Sequence, residues 1–143
     1  FLTARDSAYL RWRYFDCPDK VHRVFTLRKR GRLVGWSVLS VKNDQILWGD
    51  ALFDRQVLQG VWYLLHYVAT GAFPGMKSIK AWFSENPVWW RAHLLSLGFV
   101  PRPEPDGLTL CYRSFVNPIM DRDTVTSRLN DSFYFTWGDS DLF

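Results

Sequence analysis

Apolar positions along the chain change their period several times, and each change marks an element. Asp6 and Ser7 offer an N-cap, and Ala8, Tyr9, Trp12 and Phe15 then recur at three- and four-residue steps until Cys17-Pro18, which predicts a short amphipathic helix. Next, Val21, Arg23, Phe25 and Leu27 alternate with His22, Val24 and Thr26, Gly31 makes a turn, and Leu33 to Val41 is nearly all apolar or β-branched, the signature of a β-hairpin. Asn43-Asp44 supplies a second turn, and Gln45 to Phe53 reads as the third strand of a meander. Gly49 inside that strand predicts a bulge or a close approach of backbone.

From Asp54 the period becomes helical, with Val57, Val61, Leu64, Leu65 and Val68 on one face, until Gly71 and Pro74-Gly75 end it. Ser78 to Ser84 alternates again. Asn86 as N-cap and Pro87 at the first helical position then open a helix that runs to Leu97 and stops at Gly98. Pro101, Pro103 and Pro105 mark a loop, Leu108 to Val116 and Ser132 to Trp137 read as strands, and Asn117 to Asp131 is a long polar connection. The strand-helix-strand order over Gln45 to Ser84 requires a parallel crossover beside an antiparallel meander, so a mixed sheet is expected.

Composition narrows the class. With 143 residues, 48% of them hydrophobic, the chain is long enough for one domain, residues 1–143, with a core needing no disulfide or metal staple. Eight Trp and eleven Phe suggest an aromatic-walled cleft as well as an aromatic core. The formal charge of +4 is carried mostly by scattered arginines; the densest run, Arg28-Lys29-Arg30-Gly31-Arg32, reads as a solvated hairpin tip, so no nucleic-acid partner is expected. Cys17 and Cys111 are too few and too far apart for a metal site, and reduced thiols of a cytoplasmic protein are favoured over one disulfide. No run approaches the ~18 apolar residues of a membrane span, so no membrane partner is expected. The start at Phe1 suggests a C-terminal piece of a longer protein.

This element order resembles that of the GNAT N-acyltransferases, and the resemblance runs from the first helix to the last strand. The phrases Arg5-Asp6-x-x-Tyr9-Leu10-x-Trp12-Arg13-Tyr14 with Pro18, and Trp137-Gly138-Asp139-Ser140-Asp141, look like those of a bacterial subgroup of that family. The resemblance implies an α/β (α+β) fold with a mixed, mostly antiparallel sheet and helices on both faces. It also implies that the family's first strand and first helix precede Phe1. The implied co-substrate is acetyl-CoA or another acyl-CoA, with no metal, and the acceptor is a small-molecule or peptide amine. A dimer, or packing against another domain of the same protein, is open.

The family binds the pyrophosphate of CoA at the turn after its fourth strand, where free amides and a helix dipole favour an anion. The matching residues are Arg55, Gln56, Val57, Leu58, Gln59 and Gly60, with Leu58 where the family has Gly. Backbone groups of Leu52 and Phe53 would pair with pantetheine, and Asn86 matches a family Asn that contacts it, although a plain N-cap is equally expected there.

Amine acylation needs a proton acceptor, and Asp50, beside the expected bulge, matches the family's base position; a structural ion pair is weighed equally for it. The family's general-acid Tyr is replaced by Leu94. His93 is adjacent and titratable, but adjacent helical residues diverge by ~100°, so a surface histidine is the commoner reading. Of Trp82, Trp89 and Trp90, one or two would wall an acceptor cleft and the rest would be core. Asp139 and Asp141 read as a solvated tail rather than a cation site, and His22, His66 and His93 lie in no hydrolase context. Two further readings stand beside acyl transfer: a catalytically degenerate GNAT-like domain that binds or packs within a longer protein, and a transferase using another acyl carrier.

Overall fold

The computed structural model describes residues 4–18, 20–103 and 134–139. Helix α1 (Ser7–Leu10) starts where Asp6 Oδ1 accepts the Tyr9 amide at 2.8 Å, and it continues into a wide turn, Arg11–Phe15. Strands β1 (Arg23–Lys29), β2 (Arg32–Lys42) and β3 (Gln45–Phe53) form the expected antiparallel meander. Its tight turns place Arg30 (φ 51°), Gly31 (φ 82°) and Asn43 (φ 57°) in the left-handed region that Gly and Asn adopt most readily.

A short 3₁₀ turn, Arg55–Val57, leads into α2 (Gln59–Tyr67), which ends in a second wide turn, Val68–Ala72. Strand β4 (Ser78–Ala81) then returns parallel to Gln45–Trp48 of β3, giving the order β1-β2-β3-β4, and α3 (Val88–Ser96) follows. Among the described residues the architecture is mixed α and β with a mixed four-stranded sheet.

Both faces of the sheet are covered. On one, Leu39, Ile46, Trp48, Ala51 and Phe53 pack with Val61, Leu64 and Val68 of the α2 segment and with Phe73, Trp90 and Tyr134. On the other, Trp36, Val38 and Leu47 pack with Tyr14, Tyr9 and Leu10 from the α1 segment and with Trp137. Burying such aromatic and aliphatic side chains stabilises by roughly 1.5–3 kcal/mol each, which is why Trp36, Trp48, Phe53, Phe73 and Trp90 lie in the core. Trp48 alone meets Phe53, Phe83, Trp90 and Phe99 at ring-centroid distances between 5.1 and 6.4 Å.

Two irregularities shape the end of the sheet. Val38 pairs with Asp50 while Leu39 pairs with Trp48, so Gly49 is the extra residue of a bulge, at the position its sequence indicates. Leu27 pairs with Gly35 while Arg28 pairs with Leu33, which makes Val34 extra in β2. The Val34 carbonyl accepts the Asp54 amide at 2.8 Å and fastens the outer hairpin to the start of the α2 segment.

Several boundaries differ from expectation. Regular pairing of β4 stops at Ala81, and Phe83 instead bridges Thr136, with Ser84 N–H to Phe135 O at 2.8 Å and Trp137 N–H to Trp82 O at 2.9 Å. The N-cap of α3 is Pro87, not Asn86: the Pro87 carbonyl accepts from the Trp90 amide, while the Asn86 carbonyl accepts the Ser84 hydroxyl at 2.8 Å. The expected strand Leu108 to Val116, the connection Asn117 to Asp131 and the first residues of the Ser132 to Trp137 strand lie outside the described residues.

Candidate functional site

The bulge decides where Asp50 points. In an unbroken strand Trp48 and Asp50, two apart, would share a face. The extra residue at Gly49 breaks the alternation, so Trp48 stays in the core beneath α2 and α3 while Asp50 faces Tyr14 beneath the α1 segment. There its carboxylate is fully buried and fully occupied. Oδ1 accepts from Arg5 Nε (3.0 Å), the Thr136 hydroxyl (3.0 Å) and the Ala51 amide (2.9 Å). Oδ2 accepts from the Tyr14 hydroxyl (2.7 Å) and from Arg5 Nε (3.1 Å).

Arg5 continues the cluster. Its Nη2 donates to Asp139 Oδ2 at 2.7 Å and to the Thr136 hydroxyl at 3.2 Å, and its guanidinium lies 5.6 Å from the centroid of Tyr134. Asp139 Oδ2 also accepts the Thr136 amide at 2.9 Å. Side-chain exposures of 2% for Arg5, 0% for Asp50 and 6% for Asp139 make this a buried ion network, whose geometry must offset the loss of hydration. Burial pushes the Asp50 carboxyl up, and the attraction of Arg5 and the hydrogen bonds from Tyr14 and Arg5 pull it only part of the way back. Burial also works against the Arg5 charge, but Asp50 and Asp139 outweigh it and raise its pKa further. The Tyr14 and Tyr134 hydroxyls are driven well above the ordinary tyrosine value by burial and then by Asp50, so both remain neutral donors.

Sequence reasoning found Asp50 and missed the rest of this cluster. Asp139 is buried against Arg5 and is not a solvated tail; Asp141 lies outside the described residues. The two phrases that carry the family resemblance meet here: Arg5, Tyr9, Arg13 and Tyr14 come from one, and Gly138 and Asp139 from the other. The Gly138 carbonyl accepts from Arg13 Nε at 3.0 Å, and a Cβ on Gly138 would collide with the Tyr14 hydroxyl and sit 2.9 Å from Asp50 Cβ.

The second group of expected residues lies where β3 ends. Ala51 and Phe53 are buried, Leu52 is exposed, and the Ala51 carbonyl accepts the Tyr134 hydroxyl at 2.8 Å. Asp54 caps the following turn, with Oδ1 accepting the Gln56 amide (2.9 Å) and its carbonyl accepting the Val57 amide (3.0 Å). Arg55 and Gln56 are exposed, and the Arg55 guanidinium stands 5.9 Å from the centroid of Trp89. Leu58 packs against the core and is therefore turned inward. The amides of Gln59 and Gly60 belong to the first turn of α2 and have no acceptor within the helix. Gly60 has a packing reason of its own, because a Cβ there would collide with Leu27 of β1.

His93 projects from α3 toward this turn and bonds to the Leu58 backbone, while its Nε2 is buried without a partner. Burial holds its pKa below the ordinary histidine value despite that bond. Leu94 packs against the core, Trp90 is buried, and Trp89 and Trp82 are partly exposed. Asn86 stands at the opposite end of α3 from Gly98, 12 residues before it in the chain.

Cys17 carries a free thiol, and Cys111 lies outside the described residues. No group of His, Cys, Asp and Glu among the described residues is placed to hold a metal ion, and no described helix is long and apolar enough to cross a membrane. Compared with known proteins, the chain matched no family model, no curated protein and no solved structure.

Proposed function

We propose that this chain is an acyl-CoA-dependent N-acyltransferase domain of the GNAT type. The observation that supports it is the parting of two parallel strands. Residues 45–48 of β3 pair with residues 78–81 of β4, the bulge at Gly49 follows, and beyond it β4 turns to the Tyr134–Trp137 segment while β3 runs on into the turn before α2. A crevice outside the carboxyl ends of parallel strands, next to a helix N-terminus, is a general ligand position in open α/β sheets.

In this reading the backbone of Leu52 and Phe53 lies along the pantetheine. The first-turn amides of α2, together with Arg55, hold the pyrophosphate. Leu58 does not obstruct this, because its side chain points into the core. The acceptor amine attacks the thioester carbon, and the thiolate of CoA leaves. Asp50 does not take the amine's proton, since both carboxylate oxygens already accept from Arg5, Tyr14, Thr136 and Ala51. It anchors the bulge, and the amine loses its proton to solvent. No acceptor is named by the residues on view.

The same saturation of Asp50, with the Tyr134 hydroxyl across the Ala51 carbonyl, favours a second reading: a domain of this fold that binds or packs without catalysing transfer. Titration calorimetry of the full-length protein with acetyl-CoA, followed by thiol release on an amine panel, separates the readings. Binding with turnover supports the transferase, binding or packing without turnover supports the second reading, and no CoA binding at all sinks the first.

A further inference from the structure

Most bases of this chain are scattered, but its densest run of charge lies at one hairpin tip. The chain has 18 Lys and Arg against 14 Asp and Glu, and four of the bases, Arg28, Lys29, Arg30 and Arg32, sit in five consecutive residues; without them the two signs balance at 14 each. All four are exposed, and no carboxylate interrupts them. Arg28 donates to the Gly31 carbonyl at 3.0 Å, a bond within the turn, and among the described residues none of the four bases faces a carboxylate in an ion pair.

The hairpin also projects. Strand β3 ends with Phe53 opposite Gly35, while β1 and β2 stay paired beyond that point to Lys29 and Arg32. This overhang lies at the same end of the sheet as the start of the α2 segment and is tied to it twice. The bulged Val34 carbonyl accepts the Asp54 amide, and Leu27, the residue before Arg28, packs against Gly60 in the first turn of α2. Four exposed cations therefore stand beside the turn that carries Arg55 and the amides of Gln59 and Gly60 at the start of α2.

We infer that the β1–β2 hairpin tip is an electrostatic collector for a ligand bearing several phosphates, drawing it to the mouth at the N-terminal end of α2. This deepens the acyl-CoA reading and rests on it: CoA, with its pyrophosphate and 3′-phosphate, is the ligand of that chemistry. A concentrated patch of one sign raises the local concentration of its counter-ion and the association rate, by about 10- to 1,000-fold in steered systems, while leaving dissociation nearly untouched. The tip need not touch the bound ligand, because at ~0.01 M salt the screening length is about 30 Å and at ~1 M about 3 Å.

The test is stopped-flow association of CoA with the full-length protein over that salt range, for the wild type and for a variant carrying Arg28→Gln, Lys29→Gln, Arg30→Asn and Arg32→Gln. Asn at position 30 tolerates the left-handed backbone there. The expected result is a wild-type association rate that falls steeply with salt, a variant rate at least about fivefold lower at low salt and nearly flat, convergence of the two at high salt, and equal dissociation rates. Equal association rates at every salt concentration overturn the collector and leave the acyl-CoA reading intact. A loss confined to the dissociation rate overturns it too, since that marks direct contact in the complex. Failure of the wild type to bind CoA overturns the acyl-CoA reading and the collector with it. A second measurement needs no substitution: dephospho-CoA, lacking the 3′-phosphate, should show a shallower salt dependence than CoA on the wild type, and identical slopes count against the proposal.

Discussion

Arg5 Nε sits between the two oxygens of Asp50, 3.0 Å from one and 3.1 Å from the other, with both side chains shut away from water. One guanidinium thereby serves two carboxylates, because its Nη2 reaches Asp139 at 2.7 Å. Removing one member of a buried ion network leaves an uncompensated charge, which typically costs about 3–5 kcal/mol. Arg5→Ala is expected to lose about that much in urea unfolding. Arg5→Lys should recover only part of it, since one ammonium cannot reproduce the fork that reaches Asp50 and Asp139 together. Equal stability of Arg5→Ala and wild type would show that the network contributes nothing net.

Two glycines should respond unequally to the same added methyl group. At Gly138 a Cβ meets the hydrogen-bonded Tyr14 hydroxyl and the Cβ of Asp50, neither of which can move without breaking the network, so Gly138→Ala should destabilise by about 1–3 kcal/mol. At Gly60 the obstacle is the tip of Leu27, which can rotate, and the helix gains up to about 1 kcal/mol from replacing glycine. Gly60→Ala should therefore lie within about 1 kcal/mol of wild type, and Gly60→Ala with Leu27→Ala should suffer less than the two losses added together. Denaturation midpoints of these three variants and of Leu27→Ala alone decide it.

Asp54 caps the turn before α2 by accepting the Gln56 amide, yet its negative charge repels the anion proposed to bind there. Asp54→Ser keeps a capping oxygen and removes the charge. CoA affinity should rise, by about 0.3–1 kcal/mol at low salt, with little change in thermal stability. A fall in affinity measured by calorimetry would place the phosphates away from this turn.

His22 and His93 are both held below the ordinary histidine pKa of 6.5, mainly by burial and, for His22, also by Lys20 and Arg13. The folded protein thus binds fewer protons than the unfolded chain in the window between the lowered value and 6.5. Stability should be level on this account above that window and decline as pH falls through it, by at most about 1.4 kcal/mol per pH unit for each histidine. His93→Gln should flatten the decline. Unfolding midpoints from pH 7.5 down to pH 5 test this, and an unchanged slope in the variant would remove His93 from the account.

The fold was legible where its cause is local. Alternation marked the hairpin and β3, the change of period at Asp54 marked α2, and a lone glycine in an apolar strand marked the bulge at Gly49. Asn86 misled because it satisfies the local rule for a cap, while the bond from Ser84 to its carbonyl and the cap position of Pro87 depend on how the chain enters α3. The buried network was illegible for a different reason. Arg5 and Asp139 lie 134 positions apart, and no pattern within a helix or strand signals such a pairing. The only trace was that both fall inside phrases carrying the family resemblance, which said that they matter and not what they touch.

Of the three charges of that network, Asp50 and Asp139 lie 45 and 134 positions after Arg5, and this orders events during synthesis. Asp50 leaves the ribosome after Arg5, so half of its clasp can form early, but Thr136 and Asp139 arrive later, 86 positions or more behind it. Until they emerge, the bulged strand holds a carboxylate whose buried partners are incomplete. A nascent or truncated chain ending before Thr136 is therefore the species that proteases and chaperones should select, and the arrival of Thr136 and Asp139 is what releases this domain from their attention.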